Sequence, residues 1–291
     1  METFLKKIVK SVHFPAYLTQ LQDAWQEEQR KRQEFYQNIT EEQKAEFING
    51  EVIIHSPVKR SHNEVGKRLL KQLDDHVSTY TLGFVGYEKL LIKLTRNDYE
   101  PDICYFSSEQ EEKLAEDCMF FPAPVFVVEI LSPSTEKNDR NIKFNDYAVH
   151  GVQEYWIIDP KKRIVEQYVL KNGRYSLVFK GGHGAILSPA VPGFVLSAET
   201  LFDKTKFLEV LLKPERTITA LKQELSEKGR ELSEKNEILS VKDKELSEKN
   251  EILSVKDKEL SEKNEILSVK DKELSEKDKL IRELMGKLKE K

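Results

Sequence analysis

Between Phe14 and Tyr36 apolar side chains are sparse, and Tyr17, Leu21, Ala24 and Trp25 recur at helical spacing. This predicts a charged helix lying beside a core. From Ala45 the period shortens. AEFINGEVIIHSPV sets Asn49-Gly50 between two short apolar runs, which predicts a hairpin flanked by Glu46 and Glu51. SHNEVGKRLLKQLDDHV then returns to helical spacing through Val65, Leu69, Leu70 and Leu73, with Ser61 and Glu64 as a capping box. Gly83–Leu94 has strand character, Asn97-Asp98 marks a turn, and Asp102–Phe106 begins a second strand. Pro122–Leu131 is apolar on both faces, as a central strand is. Residues 138–150 fit a helix with Ile142, Phe144, Tyr147 and Ala148 inward and Gly151 as its stop. Glu154–Ile158 is a further strand, ended by Asp159-Pro160. Ile164–Leu170 and Arg174–Lys180 pair across Asn172-Gly173, and a strand near Phe194–Leu196 and a helix from Ala198 finish near Leu212. The order helix, three strands, helix, strand, with added β-hairpins, predicts an α/β domain.

The last part of the chain differs in kind. ELSEKNEILSVKDK occurs without change at 231–244, 245–258 and 259–272, and leucine recurs every seventh position from Leu225 to Leu274, continued by Ile281 and Leu288. A strict period of seven predicts a coiled-coil-like helix. With leucine at d, the a positions alternate Asn236, Asp243, Asn250, Asp257, Asn264 and Asp271, and only Met285 restores an apolar residue. Such a column weakens self-association. Glu231–Lys235, Glu245–Lys249 and Glu259–Lys263 support a helix whatever its partner. The expected division is a helical arm over 1–45, an α/β domain over 46–212 and a heptad-repeat tail over 213–291, with a homodimer or higher oligomer through 217–288.

Composition narrows the function classes. The net charge of −4 gives no strong footprint of a non-specific nucleic-acid binder. Two cysteines, Cys104 and Cys118, form no framework, no apolar run approaches the roughly 18 residues of a membrane span, and METFLKKIVKSVHFP lacks a secretory apolar stretch. A cytoplasmic protein without membrane partners is the expectation. No H-E-x-x-H, G-x-S-x-G, Walker A or G-x-G-x-x-G pattern occurs, and GGHG at 181–184 lacks the ending of a phosphate loop.

Two carboxylates stand out. Asp102 opens one apolar run and Glu129 lies inside another, where an ionised carboxylate needs a partner, a proton or a metal. Val127, Glu129 and Leu131 share one strand face, so Asp102 on a neighbouring strand converges with Glu129. Two carboxylates and a main-chain carbonyl make a hard site suited to Mg²⁺ or Mn²⁺. Lys59, Arg60, Lys67, Arg68 and Lys71 form the densest basic cluster in the first two hundred residues, either a phosphate-contacting surface or a solvated helix face.

Pro101-Asp102 followed by Glu129 inside an apolar strand resembles the PD-(D/E)XK nuclease superfamily. INGEVIIHSPV, RNDYEPDICYF, VVEILSPSTEKNDRNIKFNDYAVHGVQEYWIIDP and the VEQYVL hairpin resemble, over about residues 15–205, the Uma-two family of restriction-endonuclease-like proteins. The resemblance implies a restriction-endonuclease-like core and a Mg²⁺- or Mn²⁺-dependent endonuclease acting on DNA. It implies Asp102 and Glu129 as catalytic metal ligands. Leu131 occupies the usual lysine position, and Lys143 on the following helix is the replacement, although an ion pair with Asp139 explains Lys143 equally well. Glu51 is a further metal-ligand candidate, and Lys59, Arg60, His62 and Lys67 are candidate nucleic-acid contacts. The alternative is an inactive nuclease-like binding module assembled through its coiled-coil tail.

Overall fold

The computed structural model describes residues 2–40, 42–212 and 214–289, and the chain divides into compact units at residues 1–225 and 226–291. Helices Glu2–Val9 and Phe14–Asn38 open the first unit, followed by β1 (Ala45–Ile48) and β2 (Glu51–Ile54). Asn49 and Gly50 join these strands with φ of 51° and 86°, the two positive values that a tight hairpin turn requires. Helix Arg60–Tyr80 leads to β3 (Gly83–Tyr87), β4 (Leu91–Lys93), β5 (Asp98–Tyr99) and β6 (Ile103–Ser107). After β7 (Phe120–Phe121) and β8 (Phe126–Ile130) the chain turns helical from Glu136 to Val149, with a π-helical turn over Asp139–Lys143. β9 (Glu154–Asp159), β10 (Ile164–Lys171), β11 (Arg174–Gly181), β12 (Ala185–Leu187) and β13 (Val195–Ser197) follow, then helices Glu199–Phe202 and Lys204–Leu212.

Two sheets organise the domain. The larger has the order β11-β10-β9-β8-β6-β3, with β8 parallel to β9 and antiparallel to β6; the smaller has the order β2-β1-β5-β4-β7. Strand parity in β8 decides what each face meets. Phe126, Val128 and Ile130 pack with Val65, Leu69, Leu73 and Val77 of helix Arg60–Tyr80. Val127 on the opposite face, with Leu131 just beyond the strand, packs with Tyr147 and Tyr155 and with Ile48, Ile92, Leu94 and Tyr99 from the smaller sheet. Full burial of each such aliphatic side chain contributes about 1.5–3 kcal/mol, so the two sheets are held against each other by this shared layer.

Three expectations are revised. Gly83–Leu94 is two strands in different sheets, because Glu88 and Lys89 adopt φ of 41° and 52° and turn the chain from one sheet to the other. Ser61 is not the cap of the following helix. Lys59 is the N-cap residue, without a side-chain cap, and Glu64 is taken by Arg60 at 2.7 Å and Arg68 at 3.1 Å. Tyr17, Leu21, Ala24 and Trp25 are exposed. The helix docks instead through its C-terminal half, where Arg32 grips Asp98 with Nε–Oδ2 at 2.7 Å and Nη2–Oδ1 at 2.6 Å, both groups buried. A paired guanidinium holds the helix where the apolar stripe does not.

The helical segment over Glu136–Val149 is tied to β10 by Glu166, which meets Arg140 at 2.7 Å, Tyr168 at 2.9 Å and Lys180 at 3.0 Å. Burial alone would raise this carboxyl, but hydrogen bonds from Arg140, Lys180 and Tyr168 outweigh it and hold the pKa at about 2. A depressed folded-state pKa stabilises the fold above the ordinary 4.5, and that contribution is lost as pH falls toward about 2. Thermal melts of Glu166→Gln are therefore expected to lie below wild type at neutral pH and to converge on it in acid. A gap that persists undiminished near the lower limit would refute this.

Residues 226–289 of the second unit are helix, part of the helical run Pro214–Lys289. From Leu232 to Leu274 the heptad leucines are 55% to 60% exposed. The side chains of Ile281, Met285 and Leu288 lie outside the described residues. Among the described residues no helix is long and apolar enough to cross a membrane.

Candidate active site

β6 and β8 run side by side with Ile103 opposite Val128, so Asp102, just before β6, lies beside the end of β8. The Ile130 N–H donates to Asp102 Oδ2 at 2.7 Å, which locks this carboxylate to the strand that carries Glu129. The other Asp102 oxygen, Oδ1, accepts from Lys44 Nζ at 2.8 Å, and His62 Nε2 lies 3.3 Å from Oδ2. Burial would raise the Asp102 carboxyl, yet the Lys44 ammonium and His62 hold it well below the usual range. Asp102 is thus an anion at neutral pH.

Glu129 is buried on the same side, beside Lys143 Nζ at 3.0 Å. Lys143 was as well explained from sequence by an ordinary surface pair with Asp139; the pair exists, at 3.2 Å, but it is buried. Nζ also lies 2.7 Å from Glu46 Oε1, so three carboxylates crowd one ammonium. Asp139 and Lys143, four residues apart at the two ends of a π-helical turn, share a helix face and are both buried. Burial opposes a charged lysine, but Glu129, Glu46 and Asp139 together raise Lys143 well above its ordinary value. One positive charge does not satisfy three carboxylates. Glu46 keeps its charge, at about 2, because Lys143 and His55 outweigh the cost of burial. Glu129 is pushed well up by burial, and Asp139, Asp102 and Glu46 add to that against the pull of Lys143. Neither oxygen of buried Asp139 has an aligned hydrogen bond.

A cleft of about 820 Å³ opens over these groups, with Lys44, His55, His62, Asp102, Glu129 and Lys143 in its wall. Lys59, Lys89, Lys161 and Lys162 add positive charge to the same wall. Of the basic candidates, Lys59 and His62 line the cleft, whereas Arg60 is 91% exposed in its pair with Glu64 and Lys67 is exposed on the helix. Glu51 is exposed on β2 and lines no part of the cleft; Glu46, on β1 of the same hairpin, is the carboxylate turned inward.

The cleft offers hard oxygen donors, Asp102 and Glu129, and four carboxylates (Glu46, Asp102, Glu129, Asp139) stand against two ammonium groups. Among the described residues no group of three or more His, Cys, Asp or Glu is spaced to hold a metal ion. Mg²⁺ nevertheless suits such a site, since it keeps several waters and takes one or two protein carboxylates. The donor set, two carboxylates that open onto one cleft, fits an added cation.

Comparison with known proteins bears on the family and the fold. The chain is 26% identical over 161 residues to the uncharacterized protein slr1290 of Synechocystis, covering 54% of this chain and 76% of the relative. It is 30% identical over 130 residues to the uncharacterized protein sll1609 of the same organism, covering 43% and 72%. Among solved structures it is similar to "a putative nuclease belonging to DUF820" from Anabaena variabilis, with a TM-score of 0.51 at 23% identity, over 58% of this chain and 96% of that one. That likeness shows a shared nuclease-like α/β fold. Residues 32–199, which carry Asp102, Glu129 and both lysines of the cleft floor, match the family described as "Putative restriction endonuclease". The chain belongs to this family, Uma2.

Proposed function

We propose that the cleft hydrolyses phosphodiester bonds of DNA in a reaction that depends on a divalent cation, Mg²⁺ or Mn²⁺. The observation that supports this reading is the pair Asp102 and Glu129 on adjacent strands, at the floor of a cleft walled by lysines. Asp102, fixed by the Ile130 N–H, and Glu129, fixed by Lys143, would hold the ion. A cation bound there stabilises the negative charge that grows on the phosphate as water adds and the P–O bond breaks. Lys59 and Lys161 at the wall, beside Glu88, Glu136 and Asp159, are the cations a phosphate backbone would meet there. Family membership supports DNA as the substrate class. Supercoiled plasmid incubated with Mg²⁺ or Mn²⁺ is expected to be nicked, and chelation to stop it. No nicking with either ion would overturn the proposal.

A second reading rests on the tail, whose leucine column is exposed from Leu232 to Leu274. In it the nuclease-like domain is a binding module assembled by pairing of this helix with a second copy. Sedimentation equilibrium of the full chain is expected to show a dimer that dissociates at micromolar concentration. A monomer at all concentrations removes the reading.

A further inference from the structure

The cleft contains two lysines on acidic partners, and they are not equivalent. Lys143 is 1% exposed, and carboxylates lie 2.7, 3.0 and 3.2 Å from its Nζ, as many neighbours as an ammonium has N–H bonds. Enclosed by these three carboxylates, it is buried away from a phosphate. Lys44 is 21% exposed, and among the described residues only Asp102, at 2.8 Å, claims its Nζ. Asp102 takes one of its three N–H bonds, and Lys44 itself lines the cleft. Its backbone is fixed, because the His55 N–H donates to the Lys44 carbonyl at 3.0 Å and so extends the β1–β2 ladder by one residue toward the cleft.

We propose that Lys44, supplied by the hairpin of the smaller sheet, is the catalytic lysine that contacts the scissile phosphate, and that Lys143 is a positioning residue for Glu129. This rests on the nuclease reading above. Lys44 remains an ammonium throughout and donates to a non-bridging phosphate oxygen, where negative charge accumulates. A donor aimed at such a charge accelerates by about 10²–10³-fold. In the free protein the same ammonium sits on Asp102 and so competes with a cation for that carboxylate.

The test uses the full chain and two readouts, nicking of supercoiled plasmid and Mn²⁺ affinity by electron paramagnetic resonance. Lys44→Met is expected to nick about 10²-fold more slowly while binding Mn²⁺ more tightly, because the competing charge is gone. Lys44→Arg, which keeps the charge, is expected to recover part of the rate. Lys143→Met is expected to weaken Mn²⁺ binding about tenfold or more, as loss of a supporting partner does. The assignment falls if Lys44→Met nicks at the wild-type rate, or if its Mn²⁺ affinity and rate decline together. It falls equally if Lys143→Met loses rate with Mn²⁺ affinity intact. A wild-type protein that nicks nothing overturns the nuclease reading itself, whereas a nicking wild type matched by Lys44→Met overturns only the lysine assignment.

Discussion

Glu129→Gln is expected to lower metal-dependent nicking by about a thousandfold or more, with no loss of thermal stability. The activity loss follows from removing one of two carboxylates proposed to hold the cation. That cation supplies several kcal/mol of transition-state stabilisation, and each 1.36 kcal/mol is about a factor of ten in rate. The stability outcome follows from the charge count. Lys143 faces Glu46, Glu129 and Asp139, and Glu129 is the one whose ionised form its surroundings resist most. An isosteric neutral amide relieves that excess and keeps an acceptor for Lys143. Parallel plasmid assays and melting curves check both halves. A Glu129→Gln protein that nicks normally would remove Glu129 from the reaction, and one that melts far below wild type would contradict the electrostatic account.

Lys143→Met is expected to act on the fold as well as on Mn²⁺ binding. Removing one partner of a buried ion pair costs about 3–5 kcal/mol, because the remaining charge is left without compensation. Here three carboxylates lose their shared cation. At about 2–4 °C per kcal/mol for a unit of this size, the melting temperature is expected to fall by about 6–20 °C. Adding Glu129→Gln to Lys143→Met is expected to restore part of the loss, since contacting residues are not additive. A single variant that melts with wild type would mean that the cluster is neutralised by other means.

The features read from sequence were those with a local signature. Asn49-Gly50 and Asn172-Gly173 announced hairpins because only residues tolerant of positive φ turn so tightly, and both turns have it. Glu129 was conspicuous as an ionisable residue in an apolar run, and β8 buries all five of its residues. Glu46 had no such contrast. β1 lies between β2 and β5 and is buried throughout, so alternation marks no inward face, and Glu51 beside the turn was the candidate named from sequence instead. Lys44 sits in the charged run EEQKAE and Arg32 in EEQRKRQE, where composition alone implies solvent. Their partners, Asp102 and Asp98, are 58 and 66 positions away. A pairing over that distance leaves no mark in either segment. Asp139 was visible only as a helical neighbour of Lys143; that both are buried was not legible in the charged segment around them.

The docking of two sheets across the cleft also sets when the site comes into being. Lys44 and Glu46 arrive on the first hairpin, Asp102 and Glu129 on the central strands, and Lys143 on a helix that follows them. A chain still emerging from the ribosome with fewer than 143 residues holds carboxylates without their cation, and neither sheet alone assembles the cleft. Domains fold as units during synthesis, so closure of the cleft waits for the last of its parts. The cleft is by this arrangement complete only once the core around it is.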